Sequence, residues 1–347
     1  MSANPGEKGG LSFKAEVLSN TALNAEHLLL TLKPATSETP EKKGSVTTSG
    51  GGATSGGGLA SDAEATSIKG SVTTSGGGAA SGGGLASDAE ATSIKGSVTT
   101  SGGGAASGGG LAPDAEATSI KGSVTPVAPG QFYMLQVGQS AEPLLKRPLC
   151  FFRKGEGNTL EFLYRIRGKG TQLLSQIKPG AEIDVLGPLG RAWPRPPKGK
   201  TPLIVAGGTG LASLYPLIRS LKGKAVVFYG SRCGEEILFQ DELERMSAEL
   251  HLATDDGTCG SKGTVMDLLG KYKLTPDHFV YTCGPEVMTR AVTKAVLGAG
   301  ATGYASLEAY MACGVGACMG CVIKTTKGYR RVCKEGPVFK LDELVFA

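Results

Sequence analysis

Eight cysteines are spread unevenly along the 347 residues, and four of them fall between Cys313 and Cys333. Their spacing is Cys313-x4-Cys318-x2-Cys321-x11-Cys333, inside ACGVGACMGCVIKTTKGYRRVCKEGPVF. Four thiolates on a short loop suit a [2Fe–2S] cluster, whose plant-type pattern is C-x4-C-x2-C with a distant fourth cysteine. Gly314, Gly316 and Gly320 let such a loop wrap through positive φ and turn backbone N–H groups onto the sulfurs. Zinc also accepts four thiolates, but zinc sites usually present two C-x2-C knuckles and this stretch has one. Acid-labile sulfide and a red-brown colour would separate the two.

A second constellation is Gly207-Gly208-Thr209-Gly210, which follows the apolar run Pro202–Ala206 and opens a helical stretch. Glycines at a strand-to-helix junction let a pyrophosphate approach the helix N-terminus, where unpaired N–H groups favour anions. Such turns are common, and this one is not the usual G-x-G-x-x-G. It gains weight from Tyr281-Thr282-Cys283-Gly284-Pro285, at the end of a later strand of the same pattern. Ligands of open α/β sheets bind outside the carboxyl ends of their strands. Cys283, Gly284 and Pro285 therefore join the candidate nucleotide site, with a buried small residue as the bland reading of Cys283.

The third group is Arg147-Pro148-Leu149-Cys150, with Leu163-Tyr164-Arg165 and Gly170-Thr171 after it. An arginine on a strand can hold a phosphate bidentately, and a neighbouring tyrosine can stack on an aromatic ring. Gly170-Thr171 opens a predicted helix, another place for an anion. Taken singly, each arginine reads as a solvated surface charge. His27, His251 and His278 stand apart with no nucleophile around them, so hydrolysis has no support. Asp255-Asp256-Gly257 reads as a turn, and Cys150, Cys233 and Cys259 read as packing or loop thiols.

The elements that must position these residues fall into two patterns. Leu11–Ser19, Glu26–Lys33, Gln131–Val137, Arg147–Arg153, Thr159–Ile166 and Ala181–Leu186 read as short strands, with one helix over Thr171–Ile177. Their spacing predicts a small antiparallel barrel. After the proline-rich link Trp193–Pro197, strands at Pro202–Ala206, Lys224–Tyr229, Glu249–Thr254 and Asp277–Thr282 alternate with helices. Those helices are expected over Leu211–Leu221, Glu235–Met246, Thr264–Leu269 and Pro285–Leu297. The alternation predicts a doubly wound parallel sheet, so the fold class is β plus α/β. The tail after Gly303 reads as cysteine-rich and loop-like.

From Gly44 to Lys121 a 26-residue unit recurs three times, beginning GSVTTSGGGATSGGGLASDAEATSIK. Each unit offers one Val, one Leu and one Ile against seven glycines, too little burial to offset an ordering cost of roughly 1–2 kcal/mol per residue. A disordered loop is expected rather than a solenoid. Lengthening a loop from about 5 to about 90 residues costs roughly 2–3 kcal/mol, which a domain with a tight cofactor can absorb. The net charge of +5 is scattered, no apolar run reaches spanning length, and no signal-peptide layout is present. Nucleic-acid and membrane partners are not expected, and the cytoplasm is the expected compartment.

Barrel, nucleotide domain and cysteine cluster, in that order, resemble the ferredoxin–NADP reductase superfamily. Within it the sequence resembles the electron-transfer subunits of type 1B dihydroorotate dehydrogenase. The residues that carry the resemblance are LLKRPLC, YRIRGKGTQLLS, IDVLGPLG, VAGGTGLASL, YTCGPEVM and ACGVGACMGC…RVCKEGPVF. The resemblance implies FAD, held at Arg147, Pro148, Leu149, Cys150, Leu163, Tyr164, Arg165, Gly170 and Thr171. It implies NAD at Gly207, Gly208, Thr209, Gly210, Cys283, Gly284 and Pro285, and [2Fe–2S] on Cys313, Cys318, Cys321 and Cys333. The sequence departs at Cys150, where the family commonly has Ser or Thr, and a thiol is the weaker hydrogen-bond partner.

The implied layout is an FAD-binding barrel over residues 11–198, a NAD-binding domain over 199–302 and a cluster domain over 303–347. The barrel is interrupted by the repeat insertion at 34–126. The implied partner is an FMN-containing catalytic subunit that oxidises dihydroorotate for pyrimidine biosynthesis, in a heterotetramer. Related electron-transfer subunits of NADH:ferredoxin, sulfide or hydrogenase complexes share the layout and remain the alternative.

Overall fold

The computed structural model describes residues 11–35, 126–138 and 143–346. The repeats, and the expectation that they form a disordered insertion, lie outside the described residues.

The first half is built from β1 (Leu11–Ala22), β2 (His27–Pro34), β3 (Phe132–Leu135), β4 (Arg147–Cys150), β5 (Arg153–Lys154) and β6 (Leu160–Arg165). A short helix, α1 (Lys169–Ser175), and β7 (Glu182–Leu189) complete it. Among the described residues these strands form one antiparallel sheet in the order β4-β3-β7-β1-β2-β6-β5. Its two edges, β4 and β5, are joined by Phe151 and Phe152 alone. The Phe151 N–H donates to Gln131 O at one edge and the Phe152 N–H to Glu161 O at the other. Edge must therefore meet edge, and the sheet curls into the expected barrel. Leu30, Leu32, Tyr133, Leu135, Phe162, Tyr164 and Val185 fill its interior.

The second half starts at β8 (Thr201–Gly207), α2 (Leu211–Ser220) and β9 (Val226–Ser231). It continues through α3 (Gln240–Met246), β10 (Glu249–Thr254), β11 (Ser261–Lys262), α4 (Val265–Lys271), β12 (His278–Cys283) and α5 (Glu286–Gly298). The helix expected over Glu235–Met246 is broken: Phe239 has φ +58, and the helical stretch proper begins only at Gln240. That turn aims the Phe239 ring at Phe152 of the barrel, with centroids 4.9 Å apart.

The tail differs from the expected loop. β13 (Thr302–Ser306) runs parallel to β12, across the limit placed at residue 302, and β16 (Val338–Lys340) adds antiparallel to β13. Between them lie the hairpin β14 (Val322–Thr325) and β15 (Gly328–Arg331), then the one-turn helix α6 (Val332–Glu335). The sheet order is β11-β10-β9-β8-β12-β13-β16, all parallel apart from the last strand. The chain winds one way from β8 to β9 and the other way to β12. The switch point therefore lies between the carboxyl ends of β8 and β12, where such sheets bind ligands. The link Trp193–Pro197 fastens barrel to sheet: Trp193 Nε1 donates to Ser213 O at 2.9 Å, and Tyr281 Oη to Pro194 O at 2.9 Å.

Candidate functional site

The two glycine-bearing strand ends meet at the switch point. A Cβ on Gly210 would land on the Cys283 carbonyl, and one on Gly284 would lie 3.0 Å from Gly207 Cα. Backbone packs on backbone, so glycine is required by close approach rather than by torsion. Gly208 is the exception, with φ +50 and open space where a side chain would stand. Unpaired N–H groups at such a helix start favour an anion. One residue that the sequence reading left aside borders it. His27 is buried, its Nδ1 lies 3.0 Å from Asn24 Oδ1, and its Nε2 lies 3.5 Å from Thr209 Oγ1. Burial pushes the His27 pKa down, with Glu236 and Glu26 opposing and Arg165 and Arg232 adding.

The barrel residues are brought together in part. The Arg147 guanidinium lies against Gly170, where any Cβ would collide with it, at the start of α1. The Thr171 hydroxyl serves the same turn, accepting from the Arg167 N–H at 2.8 Å and the Gly168 N–H at 3.2 Å. Pro148 and Cys150 are half-buried, and Leu149 faces the barrel core. One expectation, the stacking role of the Tyr164 ring, is corrected. Tyr164 cannot offer its ring for stacking, because it is 1% exposed inside the barrel and its hydroxyl donates to Asn20 Oδ1 at 2.9 Å. Arg165 is already paired, with Nε 2.6 Å from Glu26 Oε2 and the same carboxylate shared with Arg232 at 3.0 Å. Both faces of β6 are covered, with Phe162 and Tyr164 in the barrel core and Leu163 packed toward the nucleotide half.

At the seam between the halves, Cys150 of β4 and Cys283 of β12 influence each other and share Glu308. Burial pushes the Cys150 thiol up to about 12, with the Glu308 charge adding and Ser213 opposing. Burial pushes Cys283 well up too, with Cys150 and Glu308 adding and Ser306 opposing. The buried Ser213 hydroxyl lies by Cys150 but has no well-aligned partner. Glu308 was missed because nothing adjacent in sequence marks it; only the fold brings it to the two thiols.

The cysteine loop lies on the barrel. A Cβ at Gly314 would meet Met134 Cγ of β3 at 2.7 Å, so the loop and the barrel wall are in direct contact. Backbone hydrogen bonds to sulfur link the four cysteines two and two. Cys318 N–H donates to Cys313 Sγ at 3.4 Å, and Cys333 N–H donates to Cys321 Sγ at 3.4 Å. Among the described residues no group of three or more His, Cys, Asp or Glu is placed to hold a single metal ion. Burial pushes the Cys313 thiol up, but N–H groups of Cys318, Val315 and Ala317 outweigh it and hold the thiol at about 6. Cys333 is driven up to about 12, first by burial and then by Cys321 and the nearby sulfur charges. A cluster would release that repulsion by taking up the negative charge. The other histidines are structural: His251 stacks on Phe228 at 4.7 Å, and His278 caps the Thr275 turn at 3.0 Å.

Residues 308–345 match the family described as the iron-sulfur cluster binding domain of dihydroorotate dehydrogenase B. Residues 204–294 match the oxidoreductase NAD-binding domain. The chain is 37% identical over 227 residues to the dihydroorotate dehydrogenase B (NAD(+)) electron transfer subunit of Desulforamulus reducens, covering 63% of this chain and 87% of that protein. It is 41% identical over 220 residues to the subunit of the same name from Clostridium acetobutylicum, covering 63% of this chain and 87% of the relative. The chain belongs to the family of dihydroorotate dehydrogenase B electron transfer subunits.

Members of this family thus share almost their whole length with it. Among solved structures, the NADH-dependent reduced ferredoxin-NADP oxidoreductase is 29% identical with a TM-score of 0.55, covering 62% of this chain and 79% of that one. The ferredoxin reductase of carbazole 1,9a-dioxygenase, 18% identical with a TM-score of 0.52, covers 87% and 68% of the two chains and shares the fold.

Proposed function

We propose that this chain carries electrons between NAD and a catalytic partner subunit that oxidises dihydroorotate with FMN, in the pathway to pyrimidines. Bound FAD would exchange one hydride, that is two electrons, with nicotinamide and single electrons with a [2Fe–2S] cluster, which no side chain can do. The family direction runs from FMN through cluster and FAD to NAD⁺. Everything else is the work of this chain's residues.

One observation carries the reading. Strand register sets Met134 opposite Pro148, so the residue beneath the cysteine loop is one strand from the Arg147–Cys150 segment. Cys150 in turn shares the seam pocket with Cys283 at the nucleotide end. Cluster loop, flavin segment and nicotinamide pocket thus follow one another without a gap.

In this reading Arg147 and the start of α1 hold the FAD pyrophosphate, and Gly207–Gly210 holds that of NAD. Cys150 and Cys283, packed in one apolar cluster, line the space where flavin and nicotinamide meet and keep water out. Cys313, Cys318, Cys321 and Cys333 hold the cluster. Exposed Tyr310, Val315 and Met319 surround the outer sulfur pair and offer an apolar face to the partner. We assign the assembly as a heterotetramer. Eight free cysteines fit a reducing compartment, so we place it in the cytoplasm. Among the described residues no helix is long and apolar enough to cross a membrane.

The test is purification from the native source with partner identification, cofactor analysis and NADH-driven dye reduction. A dihydroorotate-oxidising flavoprotein should co-purify. The likeness to the NADH-dependent ferredoxin-NADP oxidoreductase favours a second reading, a subunit of a NADH:ferredoxin complex. Capture of a ferredoxin-linked partner instead would select it, and a chain with neither flavin nor iron would refute both.

A further inference from the structure

The turn between Cys313 and Cys318 is held from outside by a side chain that is not itself a ligand. Arg331, the last residue of β15, donates from Nη1 to the Gly316 carbonyl at 2.7 Å. The remainder of its guanidinium is locked onto Glu335. Nε donates to Oε2 at 3.0 Å, Nη2 donates to Oε1, and the Arg331 backbone N–H donates to Oε2 at 2.8 Å.

A trans peptide points its carbonyl and the following N–H in opposite directions. Holding the Gly316 oxygen outward therefore turns the Ala317 N–H to the inner side of the turn, where the next N–H, that of Cys318, donates to the Cys313 sulfur at 3.4 Å. The turn has little slack, since Gly316 has φ +83 and a Cβ there would lie 2.8 Å from Lys334 Cδ. Hydrogen bonds to sulfur and nearby charge are what set a cluster's potential within a given ligand set.

We infer that Arg331 is a positioning residue for the cluster. By fixing the Gly316–Ala317 peptide it aims an N–H at the Cys313 sulfur, and with its own charge it raises the reduction potential. The reduced cluster carries one more negative charge, so both effects favour reduction. Glu335 orients the guanidinium and offsets part of its charge. The inference rests on the reading that the four cysteines hold a [2Fe–2S] group.

The experiment is an EPR-monitored redox titration of the full chain, purified anaerobically with its cluster, as wild type, Arg331→Gln, Arg331→Lys and Glu335→Gln. Arg331→Gln should lower the reduced-to-oxidised ratio at a fixed solution potential about tenfold, equivalent to about 59 mV for one electron. Arg331→Lys, which keeps the charge but not the fork, should fall between it and wild type. Glu335→Gln keeps an acceptor for Arg331 and removes the opposing charge, so its midpoint should rise. A brace with no electrostatic role would lower cluster content while leaving the midpoint of the remainder unchanged. An unshifted midpoint in Arg331→Gln overturns the inference. If that variant cannot assemble a cluster, Glu335→Gln decides: a midpoint unmoved or lowered overturns it equally. A wild-type chain without cluster refutes the reading of the site itself, which is a distinguishable result.

Discussion

Arg153 is where the two halves of this chain are most exposed to a single substitution. It leaves edge strand β5 and lies between carboxylates of different halves. Its Nε is 2.6 Å from Glu161 Oε2 of β6, and its Nη1 is 3.0 Å from Glu242 Oε2 of α3. The guanidinium also sits 5.3, 5.4 and 5.8 Å from the ring centres of Phe152, Phe239 and Tyr215. The Arg153 and Glu161 side chains are 22% and 13% exposed, so this pair falls between a surface bridge and a buried one, at about 2 kcal/mol. Glu242 is 35% exposed and adds about 0.5 kcal/mol after screening. The three ring faces together add about 1 kcal/mol. Arg153→Ala should therefore destabilise the chain by about 3–4 kcal/mol. Urea unfolding of the single and double variants measures each coupling separately. The Arg153–Glu161 coupling should be near 2 kcal/mol and the Arg153–Glu242 coupling below 1 kcal/mol. A total loss under about 1 kcal/mol, or a Glu161 coupling indistinguishable from zero, would refute this account of the seam.

Gly170→Ala should cut flavin content on purification, because its Cβ lands on the Arg147 guanidinium; Gly168→Ala, with open space around it, is the control that should retain flavin. Gly210→Ala drives a side chain into the Cys283 carbonyl, so it should raise the KM for NADH and destabilise the chain by about 1–3 kcal/mol. Gly208→Ala meets only the strain of φ +50 and should lose about 1 kcal/mol. His27 is depressed by burial, so between its folded value and the ordinary 6.5 the unfolded chain binds the extra proton. Its contribution is complete above that range and is lost as pH falls below about 6.5, by at most 1.36 kcal/mol per pH unit. His27→Gln should flatten the decline between pH 7.5 and 5.5 in urea unfolding; an unchanged slope would remove His27 from the account.

The parts of the site that could be read from the chain are those whose chemistry depends on local spacing. The cysteine pattern and the glycine runs are of this kind, since a cluster loop and a strand-to-helix turn are each assembled from a few consecutive residues. The Tyr164 ring was not legible, because β6 alternates between two covered faces: Phe162 and Tyr164 enter the barrel and Leu163 enters the seam. A strand covered on both sides carries no polar face to mark which residues meet a ligand. Glu308 and His27 were hidden for a different reason, as each is joined to the nucleotide end only by tertiary packing.

Spacing also left open which sulfurs face which way, and packing answers that. Cys321 and Cys333 are each 3% exposed and sit in an apolar cluster with Phe132, Met134, Leu189, Val332 and Phe339. Cys318 is exposed and Cys313 half-buried, beside Val315 and Met319 at the surface. The buried pair belongs to the side where β3 and β7 form the barrel wall, and the outer pair to the side open to a partner. Electrons crossing between a partner and the flavin segment need such a polarity, with one end of the carrier reachable from outside and the other seated on the barrel. The four cysteines offer the same thiol chemistry, and Val332 and Phe339, which carry no chemistry of their own, are what make them unequal in exposure.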